Sequence, residues 1–215
     1  MKQDCSKDGT EIPRPRLGRP QARHAGDVDK RILAAATALF LEQGFNRASL
    51  DQVAANAHVG KTTLYSRYET KEALFETFIN HAAADILDGI NPECVQGTLE
   101  HRLSEAGIAL AHATLTPFVL AIMRITLAET VRFPELASKT YHLGFGACVA
   151  KIADVLSDAL PPDVASRIAE RFVEMTLHPL LYHALFKEDL PSLLERVHAD
   201  MIQVARMLCR ELKES

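Results

Sequence analysis

The stretch SLDQVAANAHVGKTTLYSRY, residues 49–68, decides the fold. Ser49 is a good helix N-cap, and Gln52 three residues on completes a capping box. Val53, Ala54 and Ala57 follow the i, i+1, i+4 spacing of a buried helical stripe. Ala54 is small, which lets a second helix cross close above it. His58-Val59-Gly60 ends the first helix, and Val59 is apolar enough to plug the corner. Gly60 serves as N-cap for a second helix over 61–68, which turns Leu64 and Tyr68 inward. Lys61, Thr62, Thr63, Tyr65, Ser66 and Arg67 are left to face outward. Hydroxyls, an ammonium and a guanidinium in that arrangement suit phosphate oxygens and base edges. The pattern predicts a helix-turn-helix whose second helix enters the DNA major groove. The plainer alternative is an αα-hairpin with a polar face.

Outward from this stretch, helices flank it on both sides. Over 27–43, Val28, Ile32, Ala36, Leu39 and Phe40 keep the helical period. Asp27 and Asp29 suit the positive N-terminus of that helix, and Gly44 suits its end. Phe45 follows as a core plug. After Tyr68, Leu74, Phe75, Phe78, Ile79, Ala82 and Ile86 form the apolar face of a helix over 71–87. Ahead of all this, residues 1–26 have no apolar periodicity and carry Pro13, Pro15 and Pro20, which predicts a flexible basic arm. Its PRPRLGRP segment holds Arg14, Arg16 and Arg19, and Gly18-Arg19-Pro20 resembles the centre of an AT-hook. Either it is a solvated linker or it lies along the minor groove, where Arg is favoured.

The net charge of −4 conceals an asymmetry. Between Pro13 and Lys71 ten Lys/Arg stand against five Asp/Glu, a surplus of +5 that leaves −9 for the remainder. A basic end joined to an acidic body fits DNA at one end and a different task at the other.

The segment AAATALFLEQGFNRASLDQVAANAHVGKTTLYSRYETKEALFETFI resembles the DNA-binding region of the tetracycline-repressor (TetR/AcrR) family. The resemblance rests on Phe40…Gly44-Phe45, Ser49-Leu50…Val53-Ala54, Val59 with Lys61, Thr63-Leu64-Tyr65, Tyr68, and Lys71-Glu72-Ala73-Leu74. It covers about residues 28–80. Two positions depart from the family pattern. His58 stands where the family usually has Gly in the turn, so a left-handed residue there costs more than glycine. Gly60 stands where the family often has Ser, which removes a side-chain cap at a cost of tenths of a kcal/mol. The resemblance implies a DNA-binding regulator, most often a repressor, with Ser49, Lys61, Thr62, Thr63, Tyr65, Ser66, Arg67 and Lys71 facing DNA. Among these, Thr62, Thr63 and Arg67 are expected at base edges, with Lys61, Tyr65 and Lys71 on phosphates. Arg14, Arg16 and Arg19 join them if the arm engages.

The remainder is helical by pattern, with proline as punctuation. Helices are expected over 98–113, 117–131, 134–160, 163–186 and 191–212, Thr116-Pro117 being an N-cap and N1 pair. The expected architecture is all-α with about nine helices: arm 1–26, helix-turn-helix domain 27–80, and effector-binding and dimerisation domain 81–215. The segment ETVRFPELASKTYH also resembles the C-terminal domain of one branch of the family. Family resemblance implies a small-molecule pocket among the middle helices and a homodimer made by the last two. Pocket candidates are His112, Phe118, Ile122, Met123, Arg124, Tyr141, Phe145, Cys148, Phe172 and His178, each equally explicable as core or surface. Arg124 either pairs with an acid such as Glu129 or Glu174 or meets a ligand acid. Apolar ridges through Phe172, Met175, Leu180 and Leu181, and through Leu193, Leu194, Val197, Met201, Val204 and Leu208, supply surface for dimer or core. Gly144 and Gly146 permit a close helix crossing or leave space beside a cavity.

Composition narrows the rest. Apolar residues make up 47% and charged residues 24% of 215, without Trp, which suits a globular helical protein. No apolar run approaches the ~18 residues of a membrane span, and the N-terminus lacks an apolar signal core, so a cytoplasmic, membrane-free protein is expected. Cys5, Cys94, Cys148 and Cys209 form no CxxC pair, and reduced thiols are expected. No metal site, cofactor or catalytic constellation is expected, since GxSxG, HExxH and a phosphate-binding glycine loop are all missing. An all-α enzyme or a helical scaffold without DNA affinity are the competing classes.

Overall fold

The computed structural model describes residues 22–90, 96–186 and 189–214, the side chains of 22–25 and 214 excepted. Arg14, Arg16 and Arg19 lie outside the described residues. Nine helices make up the described chain: α1 (Ala22–Arg47), α2 (Leu50–Asn56), α3 (Lys61–Tyr65), α4 (Lys71–Asp88), α5 (Leu99–Thr114), α6 (Pro117–Ala128), α7 (Pro134–Leu156), α8 (Pro162–Leu185) and α9 (Leu190–Glu214). No single helix among the described residues is long and apolar enough to cross a membrane.

The caps follow the sequence closely. Ser49 Oγ accepts from the Gln52 amide at 3.3 Å, and Gln52 Oε1 accepts from the Ser49 amide at 2.9 Å. Thr70, Thr98 and Thr116 cap α4, α5 and α6 in the same way, with Pro117 at the first position of α6. α1 differs from expectation by starting at Ala22, so helix claims the last five residues of the expected arm. Gly44, at φ 78°, breaks its regular geometry near the end, the left-handed turn that glycine adopts without strain. α3 is shorter than expected; Ser66 and Arg67 form a closing turn in which the Tyr68 amide donates to Leu64 O at 2.9 Å.

Two hydrophobic cores organise the molecule. The first gathers Phe40, Phe45, Phe75 and Phe78 from α1 and α4 with Leu64 of α3, all close to fully buried. Phe40 and Phe75 meet edge to face at 5.0 Å, and Phe45 and Phe75 at 5.1 Å, geometry that the ring quadrupoles favour. This core is not confined to residues 27–80, because Ile122 of α6 and Leu136 of α7 belong to it. The second core joins α5, α7, α8 and α9. α4 runs through both, giving Phe75 and Phe78 to the first and Leu87 to the second.

α9 corrects the ridges expected for dimerisation. Leu193, Val197, Met201, Ala205 and Leu208 form a continuous stripe buried within the subunit, with Met201 and Leu208 both 0% exposed. Phe172 and Leu180 of α8 are buried likewise. The reason is a close crossing at Gly107 of α5. A Cβ there would lie 2.5 Å from the Phe172 ring and 2.8 Å from Met201 Sδ. Gly107 therefore does the close-crossing work that Gly144 and Gly146 suggested, whereas both of those open onto free space.

Candidate nucleic-acid interface and ligand cavity

The helix-turn-helix forms as its pattern requires, with a single strained residue in the turn. His58 has φ 53°, the left-handed conformation anticipated for it. Its carbonyl accepts a hydrogen bond from Arg31 Nη1 of α1 at 3.4 Å, which ties the turn to the supporting helix. Val59 is half-buried in the corner. On α3, Leu64 alone is buried, and Lys61, Thr62, Thr63 and Tyr65 are exposed, as are Ser66 and Arg67 in the turn after it.

These side chains are not equally available. Thr62 and Thr63 make no side-chain hydrogen bond among the described residues and present free hydroxyls. Lys61 Nζ pairs with Asp51 Oδ2 of α2 at 2.6 Å, and the Tyr65 hydroxyl reaches Asp51 Oδ1 at 3.4 Å. The Lys61 hydrogen bond holds the Asp51 carboxyl below its ordinary value, and Asp51 holds the Lys61 ammonium above its own. The pair is exposed to solvent, so a phosphate can compete for the ammonium at little cost. Ser66 Oγ donates back to Thr63 O at 2.9 Å. Arg67 Nη1 is joined to Asp29 Oδ1 of α1 at 2.7 Å, which fixes the end of the recognition segment on α1. Ser49 is exposed, but its hydroxyl and amide serve the α2 cap.

Lys71 departs most from expectation. Its ammonium donates to the carbonyls of Phe45, Asn46 and Ala48 at 2.8, 3.1 and 2.9 Å. It also lies 4.4 Å from the Phe45 ring centroid. All three donors of the ammonium are thus occupied, which leaves none for the phosphate assigned to it. Burial holds its proton affinity below that of an ordinary lysine. Lys71 is a clamp on the open carbonyls at the C-terminal end of α1, where a cation also suits the local dipole.

In the body, a cavity of about 570 Å³ lies between α4, α6, α7 and α8, with Thr114 at the end of α5. Of the expected ligand contacts, Ile122, Met123, Tyr141, Phe145, Cys148 and His178 line it. The other four do not. His112 is exposed on α5, Phe118 packs at 6.4 Å from Phe78, and Phe172 is core beneath Gly107. Arg124 is exposed, and it takes neither expected acidic partner; Nη2 donates to Ala184 O at 3.4 Å.

One wall of the cavity is aromatic. The Tyr141 and Phe145 rings are 5.4 Å apart and inclined by 6°, while Phe145 and His178 are 4.9 Å apart and inclined by 28°. The Tyr141 hydroxyl and His178 Nε2 are 3.4 Å apart. Cys148 is held as a neutral thiol, since burial pushes it up to about 11. Thr114 and Thr140 donate their hydroxyl hydrogens to Leu110 O and Leu136 O at 2.7 and 2.8 Å. Thr126 Oγ1 is buried and has no hydrogen-bond partner. No sequence signal marks these threonines, because helical threonines usually read as neutral surface or back-bonded positions.

The cavity and the helix-turn-helix support share side chains. Ile79, Ala82 and Ile122 line the cavity and are members of the first hydrophobic core. Just beyond α6, Glu129 Oε1 accepts from the Asn46 amide at 3.2 Å, and Arg132 Nη1 donates to Asn46 Oδ1 at 2.6 Å. The Phe133 ring meets Phe45 edge to face at 5.2 Å. These contacts join the α6–α7 turn to the α1–α2 turn.

Residues 32–78 match the bacterial regulatory proteins of the tetR family, and residues 101–210 match the AefR-like transcriptional repressor C-terminal domain. An HTH-type transcriptional repressor of Mycobacterium tuberculosis is 24% identical over 124 residues, 58% of this chain and 66% of that protein. The chain thus spans just under two thirds of that relative. A TetR-family chain from Mesorhizobium loti shares the fold with TM-score 0.69 at 23% identity, over 87% of this chain and 98% of that one. The flavonoid-responsive regulator FrrA is 28% identical with TM-score 0.62, over 85% of this chain and 97% of its own. With the helix-turn-helix matched, and the C-terminal domain model matching 110 of the 215 residues, just over half of the chain, the chain belongs to the tetR family of bacterial regulatory proteins.

Proposed function

We propose that the chain is a homodimeric repressor that binds a palindromic operator through α2 and α3 and leaves it when a small molecule fills the cavity. Thr62 and Thr63 are the base-reading side chains, Lys61 exchanges Asp51 for a phosphate, and Arg67 holds the recognition segment against α1. The observation that carries the reading is the shared membership of Ile79, Ala82 and Ile122 in the cavity wall and in the core beneath the DNA-binding helices. A ligand that displaces these side chains must shift the packing that sets the position of α3. It lowers operator affinity only by as much as it prefers the shifted form. The dimer surface in this reading is the exposed row of Met175 and Tyr182 of α8 and Phe186 at its C-cap, 42%, 63% and 71% exposed, with Met207 of α9.

The test is selection of bound fragments from the source genome, followed by footprinting on the recovered sites. Two protected half-sites related by a two-fold axis and one DNA turn apart, ~34–36 Å, are expected. Recovery of fragments with no common sequence would overturn the reading.

A further inference from the structure

From the cavity wall we infer that the effector is an uncharged, flat aromatic molecule carrying a hydroxyl that donates a hydrogen bond. The inference rests on the effector reading above and adds the ligand's chemistry. Charge is the first discriminator. Among the described residues no Asp, Glu, Lys or Arg lines the cavity. A carboxylate or ammonium bound there would lose water without gaining a counter-ion, a cost that burial makes large.

Shape is the second. The Tyr141 and Phe145 ring planes are nearly parallel, inclined by 6°, and His178 continues the stack on Phe145. A planar ring system packs against this aromatic wall in edge-to-face or offset contact, which a flexible chain cannot match. The volume of about 570 Å³ lies within the range of drug-sized ligand sites and accommodates several fused or linked rings.

Hydrogen-bond direction is the third. Thr114 and Thr140 have already donated their hydroxyl hydrogens to helix carbonyls, so toward a ligand they offer lone pairs only. At these two oxygens a ligand must therefore supply the hydrogen. Thr126 Oγ1, buried without a partner, adds a third hydroxyl on the wall that gains from a polar ligand group. Cys148 stays a neutral thiol at physiological pH and contributes apolar surface.

Four probes of related size separate these requirements: 4-hydroxybiphenyl, biphenyl, biphenyl-4-carboxylate and decan-1-ol. Each is titrated calorimetrically against the full-length protein and against Thr114→Val/Thr140→Val and Phe145→Leu variants. The expected order places 4-hydroxybiphenyl first, biphenyl about tenfold weaker, and the carboxylate and the alcohol weaker still. The threonine double variant should erase the hydroxyl preference while keeping biphenyl affinity, which also shows that its cavity is intact. Phe145→Leu should narrow the gap between hydroxybiphenyl and decanol. Tightest binding by the carboxylate or the alcohol, an undiminished hydroxyl preference in the double variant, or binding by none of the four overturns the ligand class. Operator release is read separately on the same samples. Binding in the expected order without release would overturn the effector reading while leaving the ligand chemistry standing.

Discussion

At position 58 this chain places a histidine in a left-handed turn, with φ 53°. A Cβ in that conformation costs roughly 1–2 kcal/mol. Glycine removes this strain but returns about 0.5–1 kcal/mol through the entropy of the unfolded chain. His58→Gly is therefore expected to stabilise the protein by about 0.5 kcal/mol, a rise of a degree or two in Tm by calorimetry. Lys71 is the opposite case, a residue whose sequence context pointed to one role and whose contacts give another. Its i, i+3 neighbours say nothing of Phe45, Asn46 and Ala48, which are more than twenty positions away. Lys71→Met should cost about 1–3 kcal/mol in urea unfolding, because it leaves those carbonyls short of a partner. A phosphate contact would instead lower the salt slope of DNA binding by ~0.9 with little change in stability. The same distance in sequence hid the pairing of Arg67 with Asp29 and of Lys61 with Asp51. The residue types on α3 were legible; which of them are held elsewhere was not.

Among the elements, the helices and their caps were the most legible, because Ser49, Thr98 and Thr116 act on amides three residues away or fewer. The cavity was legible only in part. Ile122, Met123, Tyr141, Phe145, Cys148 and His178 come together on its wall through long-range packing of α6, α7 and α8, and no local signal separates them from Phe172, which faces the core. α6 holds the coupling in this account. It lines the cavity with Ile122, and the turn after it grips Asn46 through Glu129 and Arg132. Arg132→Ala should change global stability by less than about 1 kcal/mol, since the pair is exposed. It should reduce the ligand-induced loss of operator affinity, by a coupling of ~0.5–2 kcal/mol. The check is the ratio of operator Kd with and without saturating ligand, compared between variant and parent.

For the whole molecule, two surfaces must be kept apart: the one each subunit buries alone and the one it offers to a second copy. Period alone does not distinguish them: the α9 stripe at Met201 and Leu208 suits dimer or core equally, and the close approach of α5 at Gly107 places it in the core. Tyr182→Glu on the exposed row of α8 should give a folded monomer by sedimentation, with operator affinity lost. Met201→Glu should instead lose ~4 kcal/mol or more of subunit stability, because it buries a charge without a partner. The central claim concerns neither surface but the link between cavity and DNA through the shared core. Linkage requires that ligand and operator weaken each other by one common factor. The most direct test titrates a cavity-binding ligand against the free protein and against the protein saturated with its operator. The account predicts weaker ligand binding on the operator complex, by the same factor as the ligand weakens operator binding. Equal ligand affinity for the two forms would contradict it.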